Sequence, residues 1–381
     1  MSKKTFMAAL IITAFLVSTM VGVHFSTAQS STVSGDFWVK RTSMPNSEDF
    51  VQTAVINGEI YVIGSNNTAN TNYNYLYNPS TDSWVSRTPM PTIQMGGAIA
   101  TYQNKIYIIG GGQGISINFT TYQTGINEMY DPTTDTWTNK TSMPMAYANL
   151  NAVTVNGMIY VMGGTTAISG KMMFYGINEL YNPISDSWQS LTPMPIPVEK
   201  FGMVAVGNQI YVIGGQTNEP IKYFNQTQIY DIQTNTWSYG TPMPITTIGG
   251  VAAVIKSDSS SKIYYIGNEM VLKYYQYLNK SDWTYTTNSP TQIYDLQTRN
   301  WTTGASTPTT RISGASLAVV NNTIYAIGGY DGVGQTSANE QYFPSSYQAD
   351  SSIPEFPSWI VIPLVVAATL LIIYKRKGNG I

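Results

Sequence analysis

Six copies of one short pattern recur along the 381-residue sequence, and their spacing constrains the fold more than any other feature. Each copy has an Ile-Tyr pair followed three residues later by glycine, and successive glycines are 46 to 61 residues apart. These glycines are Gly64, Gly110, Gly163, Gly214, Gly267 and Gly328. In the first five copies a second tyrosine precedes a tryptophan by seven residues. The tryptophans are Trp84, Trp137, Trp188, Trp237 and Trp301. A period near fifty residues indicates a repeat architecture.

Each copy has the pattern of four short β-strands. A small apolar segment leads into a tight turn such as Asn57-Gly58 or Asn156-Gly157, whose residues tolerate the positive φ of a two-residue hairpin. The Ile-Tyr segment is rich in β-branched and aromatic residues, which favour a buried strand. The later tyrosine and tryptophan lie in two further strands separated by a polar turn. Because one such sheet cannot bury both faces alone, we expect an all-β, six-bladed β-propeller.

The repeated residues also resemble a known family. Glycine pairs such as Gly110-Gly111 and Gly163-Gly164, with the later Tyr and Trp, are similar to Kelch repeats over residues 36–346. Ser65 and Asn268 replace the second glycine in copies one and five. The resemblance implies a Kelch-type β-propeller that binds ligands through the loops of one face. The residues common to all copies are then structural.

The two ends of the array predict how the ring closes. The sixth copy has Tyr342 but no tryptophan after it, whereas Trp38 stands ahead of the first copy without a matching tyrosine. We therefore expect an N-terminal strand containing Trp38 to complete the last blade. Such pairing leaves no free sheet edge, so the ring needs no disulfide.

Composition excludes several classes of function. The net charge is −2 and only 10% of the residues are charged, so no basic patch favours nucleic acid as a partner. The sequence has no cysteine, and its single histidine is His24. Zinc hydrolysis, Ser-His-Asp triads and the copper chemistry of galactose-oxidase-like Kelch proteins all require residues missing here. We expect neither a metal nor a cofactor.

The two termini predict export and anchoring at the cell surface. Residues 1–28 resemble a signal peptide, although an uncleaved anchor helix is the alternative. Residues 359–374 form an apolar stretch, predicted to be a transmembrane helix with a basic cytoplasmic tail at 375–381. The linker at 347–358 contains Pro354-Glu355-Phe356-Pro357, which resembles an archaeal PEF-type sorting signal. That resemblance implies cleavage and transfer to a lipid anchor, and a permanent single span is the alternative.

Candidate ligand contacts are expected on the face shared by two families of loops, those after the repeated glycines and those after each Met-Pro. The third residue after Met-Pro, or after Pro308 in the last copy, differs between copies: it is Glu48, Gln94, Tyr147, Val198, Thr247 or Arg311. The Kelch resemblance implies arginines near this position, and only Arg311 matches. Glu199 and Asp331 complete the predicted rim.

The segment after Gly267 is the strongest candidate for recognition because it is the longest and the most aromatic. It reaches 27 residues to the next repeated tyrosine and includes Tyr274, Tyr275, Tyr277, Trp283 and Tyr285. Aromatic rings stack on sugars and also serve as hot spots in protein interfaces. A lid packed on itself over the channel is the alternative.

Seven Asn-x-Ser/Thr sequences could accept glycans: Asn66, Asn118, Asn139, Asn225, Asn279, Asn300 and Asn321. Taken together, the sequence predicts a surface-anchored module that binds an extracellular glycan or protein for adhesion or envelope assembly. The alternative is a carbohydrate-acting enzyme resembling sialic-acid mutarotase, with Glu48, Glu199, Arg311 and Asp331 as candidate residues.

Overall fold

The structure is a computed structural model, and it describes residues 36–345 with gaps at 49, 67–70, 114–121, 169–170, 218–221, 257–260, 276–279 and 287. Asp36–Ser345 form one compact unit. The predicted signal peptide, linker, transmembrane helix and basic tail lie outside the described residues. Within the described part of the chain, no helix has the length and apolar character needed to span a membrane.

Six antiparallel sheets, here called blades 1 to 6, follow one another along the chain. Blade 1 contains Gln52–Ile56, Glu59–Asn66, Thr71–Asn78 and Ser83–Ser86. Blade 2 contains Ala98–Tyr102, Lys105–Ile109, Asn127–Asp131 and Thr136–Lys140. Blade 3 contains Asn151–Val155, Met158–Met162, Asn178–Asn182 and Ser187–Ser190. Blade 4 contains Gly202–Val206, Gln209–Ile213, Thr227–Asp231 and Thr236–Gly240. Blade 5 contains Thr247–Ile255, Lys262–Tyr275, Thr291–Asp295 and Asn300–Gly304. Blade 6 contains Ser316–Val320, Thr323–Ile327, Asn339–Phe343 and the N-terminal strand Phe37–Lys40. The predicted all-β, six-bladed propeller is confirmed.

The N-terminal strand closes the ring as predicted. It runs antiparallel to the third strand of blade 6, with Trp38 opposite Tyr342 and Phe37 opposite Phe343. The two phenylalanine rings stack with their centroids 4.9 Å apart. The first and last described strands therefore lie side by side in one sheet.

The hydrophobic core lies between neighbouring blades. Ile63 of blade 1, for example, packs in one cluster with Ile106, Ile108 and Tyr130 of blade 2. Each repeated tryptophan also donates its indole N–H to a backbone carbonyl of the preceding blade at 2.8 to 3.0 Å. The pairs are Trp38–Ala305, Trp84–Thr42, Trp137–Thr88, Trp188–Thr141, Trp237–Thr192 and Trp301–Thr241. Trp38 thus fills the sixth position in this ring of contacts.

The repeated glycines allow the next blade to approach closely. A Cβ atom on Gly163 would lie 2.4 Å from the ring of Phe201 and 2.7 Å from the carbonyl oxygen of Val198. In four blades the glycine pair has positive φ and the second strand ends before or at it. Where Ser65 or Asn268 replaces the second glycine, the strand continues beyond this point. Blades 1 and 5 therefore extend their sheets into the loop face.

Two-stranded ribbons project from the second and third strands of the other long-loop blades. They comprise Gly112–Gln113 with Tyr122–Gln123, Thr165–Ile168 with Lys171–Phe174, and Gln216–Thr217 with Lys222–Tyr223. In blade 5 the corresponding feature is a long hairpin, in which Lys262–Tyr275 pairs with Lys280–Tyr285.

Candidate functional site

The central channel opens on the face that carries the loops, and we call this opening the channel mouth. A cavity of about 130 Å³ lies there. It is lined by residues at the start of the first strand of all six blades, here called the inner strand. A second cavity of about 150 Å³ continues along the inner strands and shares Ile99, Asn151, Phe201, Val251 and Ser316 with the first. The mouth therefore opens into a channel rather than a shallow surface dimple.

One residue per blade at the mouth has the left-handed backbone conformation. The six are Phe50 (φ 52°), Gly96 (63°), Asn149 (58°), Lys200 (54°), Gly249 (64°) and Gly314 (70°). All six line the cavity. Glycine adopts this conformation without strain, whereas other residues rarely do and cost of the order of 1–3 kcal/mol. Three blades thus carry a strained side chain where the other three carry glycine, a feature that is concentrated at functional sites.

The charge and chemistry of the mouth are asymmetric. Lys200 is half-buried and is the one charged side chain among the described residues that line the cavity. It makes no ion pair with any residue in the described ranges. Phe50 belongs to blade 1 and Lys200 to blade 4, so the ring order places an aromatic residue across the mouth from a cation. Such a pair can hold a molecule with an apolar face and an anionic or hydroxyl group.

Two further polar residues complete the mouth. The Gln52 side chain donates to the carbonyl of Gly97, and its Oε1 is buried without a hydrogen-bond partner among the described residues. Asn151 donates to the carbonyl of Phe201 at 2.6 Å. Neighbouring blades are therefore joined at the rim, and one buried acceptor there has no donor among the described residues.

Glu199 supports the mouth from within the blades and does not line it. Its carboxylate accepts hydrogen bonds from Asn149 (2.6 Å), Gln216 (2.7 Å) and Thr165 (3.2 Å), and the residue is 5% exposed. Backbone bonds between Glu199 and Gln216 make this crossover part of the sheet. The bond to Asn149 holds the mouth residue of the adjacent blade in place.

The third residue after Met-Pro is buried in every blade, which corrects the predicted rim. Glu48, Gln94, Tyr147, Val198, Thr247 and Arg311 are at most 5% exposed. The crossover to the next blade runs beneath the loops at this point, so its side chains point into the protein. The residue two or three positions later faces the channel instead.

Arg311 shows what this buried position does. Its guanidinium donates to Glu340 at 2.5 Å and to the carbonyls of Thr309, Ala326 and Gly328 at 3.0 to 3.2 Å. Burial lowers the pKa of Arg311, and the charge of Glu340 opposes that shift. Arg311 therefore joins the strands of blade 6 internally and does not line the channel mouth.

Blade 2 fills the same position with an uncharged donor. Gln94 donates to Glu128 at 2.7 Å, and Thr92 donates to the other oxygen of that carboxylate at 2.6 Å. Burial raises the pKa of Glu128 in spite of these bonds. Asp331, the last member of the predicted rim, accepts the backbone N–H groups of Val333 and Gly334 and so caps its own turn.

The aromatic segment of blade 5 is a hairpin whose register separates its residues into two sets. Tyr285 lies opposite Met270, Trp283 opposite Leu272 and Tyr274 opposite Ser281. These pairs alternate with Tyr275 opposite Lys280 and Lys273 opposite Asp282. Tyr274, Trp283 and Tyr285 therefore belong to one set of alternate strand pairs, and Tyr275 belongs to the other. Tyr277 lies outside the described residues.

The sequons are distributed over several surfaces. Asn139 and Asn300 lie exposed on outer strands, and Asn321 is exposed in a hairpin turn with φ 50°. Asn225 donates to the carbonyl of Met243 at 2.7 Å. Asn66 ends a strand of blade 1, whereas Asn118 and Asn279 lie outside the described residues.

Comparison with known families identifies the repeat. Residues 96–329 match the KLHDC2/KLHL20/DRC7 Kelch-repeats domain, and residues 50–91 match the Kelch motif. The chain is a Kelch-repeat protein. Its propeller is similar to the solved structure of YjhT, with a TM-score of 0.64 and 18% identity over 80% of this chain and 97% of that one. This likeness shows the fold alone.

Sequence relatives include other Kelch proteins. The chain is 26% identical to Kelch-like protein terF of Aspergillus terreus over 270 residues, which are 68% of this chain and 55% of the relative. It is 24% identical to Kelch-like protein 25 of Xenopus tropicalis over 246 residues, 63% of this chain and 38% of the relative. The Kelch propeller thus spans about half or less of the length of these relatives.

The residues that line the channel mouth lie on the loop segments predicted from the sequence, but Phe50, Asn149 and Lys200 were not among the predicted site residues. Phe50, Asn149 and Lys200 lie two positions before the first residue of an inner strand. The signal that could have found them is that glycine occupies this place in the other three Kelch blades. A Phe, Asn or Lys aligned with Gly96, Gly249 or Gly314 must adopt a left-handed backbone conformation that glycine adopts without strain.

Proposed function

We propose that this Kelch propeller is a binding module of the cell surface that recognises an extracellular glycan or protein through its loop face. The observation that carries the proposal is the channel mouth. Strained, non-glycine residues place an aromatic ring, an amide and an ammonium group around an open channel. Because glycine would remove the strain, these side chains are best explained by what they contact.

The hairpin of blade 5 supports the same face as the binding surface. It extends the second strand of the blade to 14 residues, whereas the second strands of blades 2, 3, 4 and 6 have five. Tyr274, Trp283 and Tyr285 occupy one set of its alternate strand pairs, and aromatic residues are the type that stacks on sugars or packs in protein interfaces. The described lining of the mouth contains no carboxylate, so it offers no support for the alternative of a carbohydrate-acting enzyme.

The location rests on the two terminal segments. A signal peptide at 1–28 would export the chain, and the apolar stretch at 359–374 would hold it at the membrane with the propeller outside. The Pro354–Pro357 motif adds the proposal that an archaeal sorting enzyme processes this end. Immunodetection on intact cells, with and without deletion of 354–381, tests the anchoring. Retention of the deleted chain on the cells would contradict it.

A glycan array and a cell-envelope extract probed with the full chain test the binding face. In the variant Phe50→Gly/Lys200→Gly, both mouth residues become the residue that three other blades already have. We expect this variant to fold and to lose at least tenfold in signal for the bound component. Lys222→Gln, at an exposed lysine of the same face, is the matched control. Unchanged binding by the glycine variant would refute the role of the mouth.

The hairpin allows a second comparison in the same assay. Tyr274→Ser with Trp283→Ser changes one set of alternate pairs of the hairpin, and Tyr275→Ser changes the other. We expect the double variant to weaken binding more than the single one. An equal effect of the two would show that the set containing Tyr274 and Trp283 does not carry recognition.

A further inference from the structure

A repeated hydrogen-bonded contact, here called the clamp, joins each of blades 1 to 4 to the blade before it. Its regular geometry is the reference against which blade 5 is compared. In blade 2, the Tyr130 hydroxyl donates to Asp135 Oδ1 at 2.5 Å, and the Thr88 N–H of blade 1 donates to the same oxygen at 2.9 Å. Blades 1 and 3 repeat this with Tyr77, Asp82 and Thr42 and with Tyr181, Asp186 and Thr141. Blade 4 uses Tyr230, Asn235 and Thr192 in the same way.

A cation accompanies the carboxylate in the first three of these clamps. Arg41, Arg87 and Lys140 each precede the clamped threonine, and each helps to lower the pKa of the facing aspartate. In these three clamps the preceding blade thus brings a cation and the following blade brings the carboxylate that it faces.

Blade 5 departs from this pattern at both the aspartate position and the cation position. Arg299 occupies the place of the aspartate, and Gly240 of blade 4 occupies the place of the cation. Arg299 keeps the left-handed conformation of the position, with φ 58° compared with 54° at Asp135. The groove between blades 4 and 5 therefore contains a cation and no carboxylate among its described lining residues.

The donors of the clamp are still present. Tyr294 corresponds to Tyr130 and is 3% exposed, and Thr241 corresponds to Thr88. Neither the Tyr294 hydroxyl nor the Thr241 N–H makes a hydrogen bond to another residue in the described part of the chain. In their place, only the Thr241 hydroxyl donates to the Arg299 carbonyl, at 2.9 Å. Two donors thus face a space from which their usual acceptor is missing.

That space is large. The groove between blades 4 and 5 encloses about 470 Å³, compared with about 290 Å³ for the corresponding groove between blades 1 and 2. Tyr211 lies in the groove with its ring 6.4 Å from that of Tyr294. Arg299 also lines the groove. Burial raises the pKa of Tyr211, and the nearby charge of Arg299 opposes that shift. Tyr239, 57% exposed, forms an aromatic rim.

We propose that the groove between blades 4 and 5 is a second binding site, and that a ligand carboxylate takes the place of the missing aspartate. The carboxylate accepts from the Tyr294 hydroxyl and the Thr241 N–H and pairs with the Arg299 guanidinium, while Tyr239 contacts the attached group. The carboxylate comes from an acidic sugar or from an acidic peptide side chain. This site lies at the turn between the third and fourth strands, so it is separate from the channel mouth.

The test uses the full chain with two carboxylate probes, each with a neutral partner. D-glucuronate is compared with D-glucose, and a short peptide containing aspartate with the same peptide containing asparagine. We expect calorimetric titration to detect one of the two carboxylates and not its neutral partner. The arm that binds identifies the source of the carboxylate. Failure of both carboxylates to bind, or equally tight binding of inorganic phosphate, would overturn the proposal.

Variants link any binding to the groove. Arg299→Asp restores the repeat pattern, so it should raise the melting temperature without probe and weaken carboxylate binding about tenfold or more. Tyr294→Phe removes one donor and should weaken binding several-fold. Arg87→Gln, in the regular groove, should leave probe binding unchanged.

In the array and envelope assay of the loop face, Arg299→Asp should bind as the natural chain does, which separates this site from the proposed function of the loop face. If Arg299→Asp and Tyr294→Phe both bind the carboxylate as the natural chain does, the groove is not the site.

Discussion

The groove between blades 1 and 2 and the groove between blades 4 and 5 have the same backbone plan but differ in their charges. In the first, Arg87 and Asp135 face each other and the Tyr130 and Thr88 donors are satisfied. In the second, Arg299 is the one charged residue of the described lining, and the equivalent donors have no acceptor among the described residues. Comparison of equivalent strands therefore shows which contacts join the blades and at which position blade 5 lacks them.

The channel mouth is a second place where some blades depart from the residue that the others share. Glycine satisfies the left-handed backbone in blades 2, 5 and 6, and larger residues accept strain in blades 1, 3 and 4. In a repeat protein, a departure from the common residue at a fixed backbone position separates structural from functional demands.

The largest effect on stability is expected at Arg311. The loss there is a reference for the smaller losses expected in the two grooves. Arg311→Met leaves the Glu340 carboxyl group 1% exposed and without its ion pair, so we expect a loss of about 3–5 kcal/mol in the free energy of unfolding. Arg311→Gln copies the Gln94–Glu128 pair of blade 2 and should lose less. Urea denaturation of both variants measures the difference. Equal losses would show that the charge of Arg311 is irrelevant.

Alanine substitution of Asp135 and of Arg299 tests the difference between the two grooves directly. Asp135→Ala removes the acceptor of the buried Tyr130 hydroxyl and the Thr88 N–H, which should cost about 2–3 kcal/mol. Arg299→Ala removes no clamp contact and should change stability by less than about 0.5 kcal/mol. Chemical denaturation of the two variants in one buffer measures the contrast. A comparable loss in both would mean that Arg299 is structural.

The hydrogen bond donated by the repeated tryptophan should contribute equally to stability in both grooves. Trp137 and Trp301 each donate to a threonine carbonyl at 2.9 Å. Trp137→Phe and Trp301→Phe should therefore each cost about 1–2 kcal/mol, because a carbonyl loses its donor while most ring packing remains. Thermal denaturation compares the pair. A much smaller effect at Trp301 would show that blade 5 is loosened well beyond its aspartate position.

The smallest expected effect is on the acid limb of the stability curve. Partial burial by itself raises the pKa of Asp135, but the hydrogen bonds from Tyr130 and Thr88 outweigh it and hold the pKa below the ordinary value of 3.8. The unfolded chain therefore binds more protons in this range. The stabilisation is present above about pH 4 and is lost as pH falls through the lower pKa of the folded state.

Asp135→Asn keeps the acceptor oxygen, as Asn235 does in blade 4, but removes the titration. Its melting temperature should fall less steeply than that of the natural chain between pH 5 and pH 3, a range of about one unit either side of that ordinary value. Arg299→Gln removes no carboxylate and should leave the slope unchanged. An unaltered slope in Asp135→Asn would show that this aspartate does not contribute to acid unfolding.

Much of the fold follows from the sequence because the repeat encodes it several times. The spacing of Gly64, Gly110 and their equivalents predicted the number of blades, and the unmatched Trp38 predicted the closing strand, as found. Such predictions succeed because local strand and turn preferences agree in each copy and one architecture satisfies them all.

The candidate site was less predictable from sequence. The position of Arg311 was identified as variable, but its burial depends on where the crossover passes beneath the loops. The position of Lys200 at the channel mouth was not predicted because it depends on the φ of one residue, which sequence alone does not give.

The sequence by itself determined the repeat, the blade count, the ring closure and the absence of cysteine from the whole chain. Tertiary structure alone decided which variable residues reach the channel, and it alone placed Arg299 against blade 4 with Tyr294 and Thr241. The physical reason is that strand patterns depend on neighbours along the chain. Channel faces and grooves depend on residues about fifty positions apart meeting across a blade interface, and no local preference encodes that meeting.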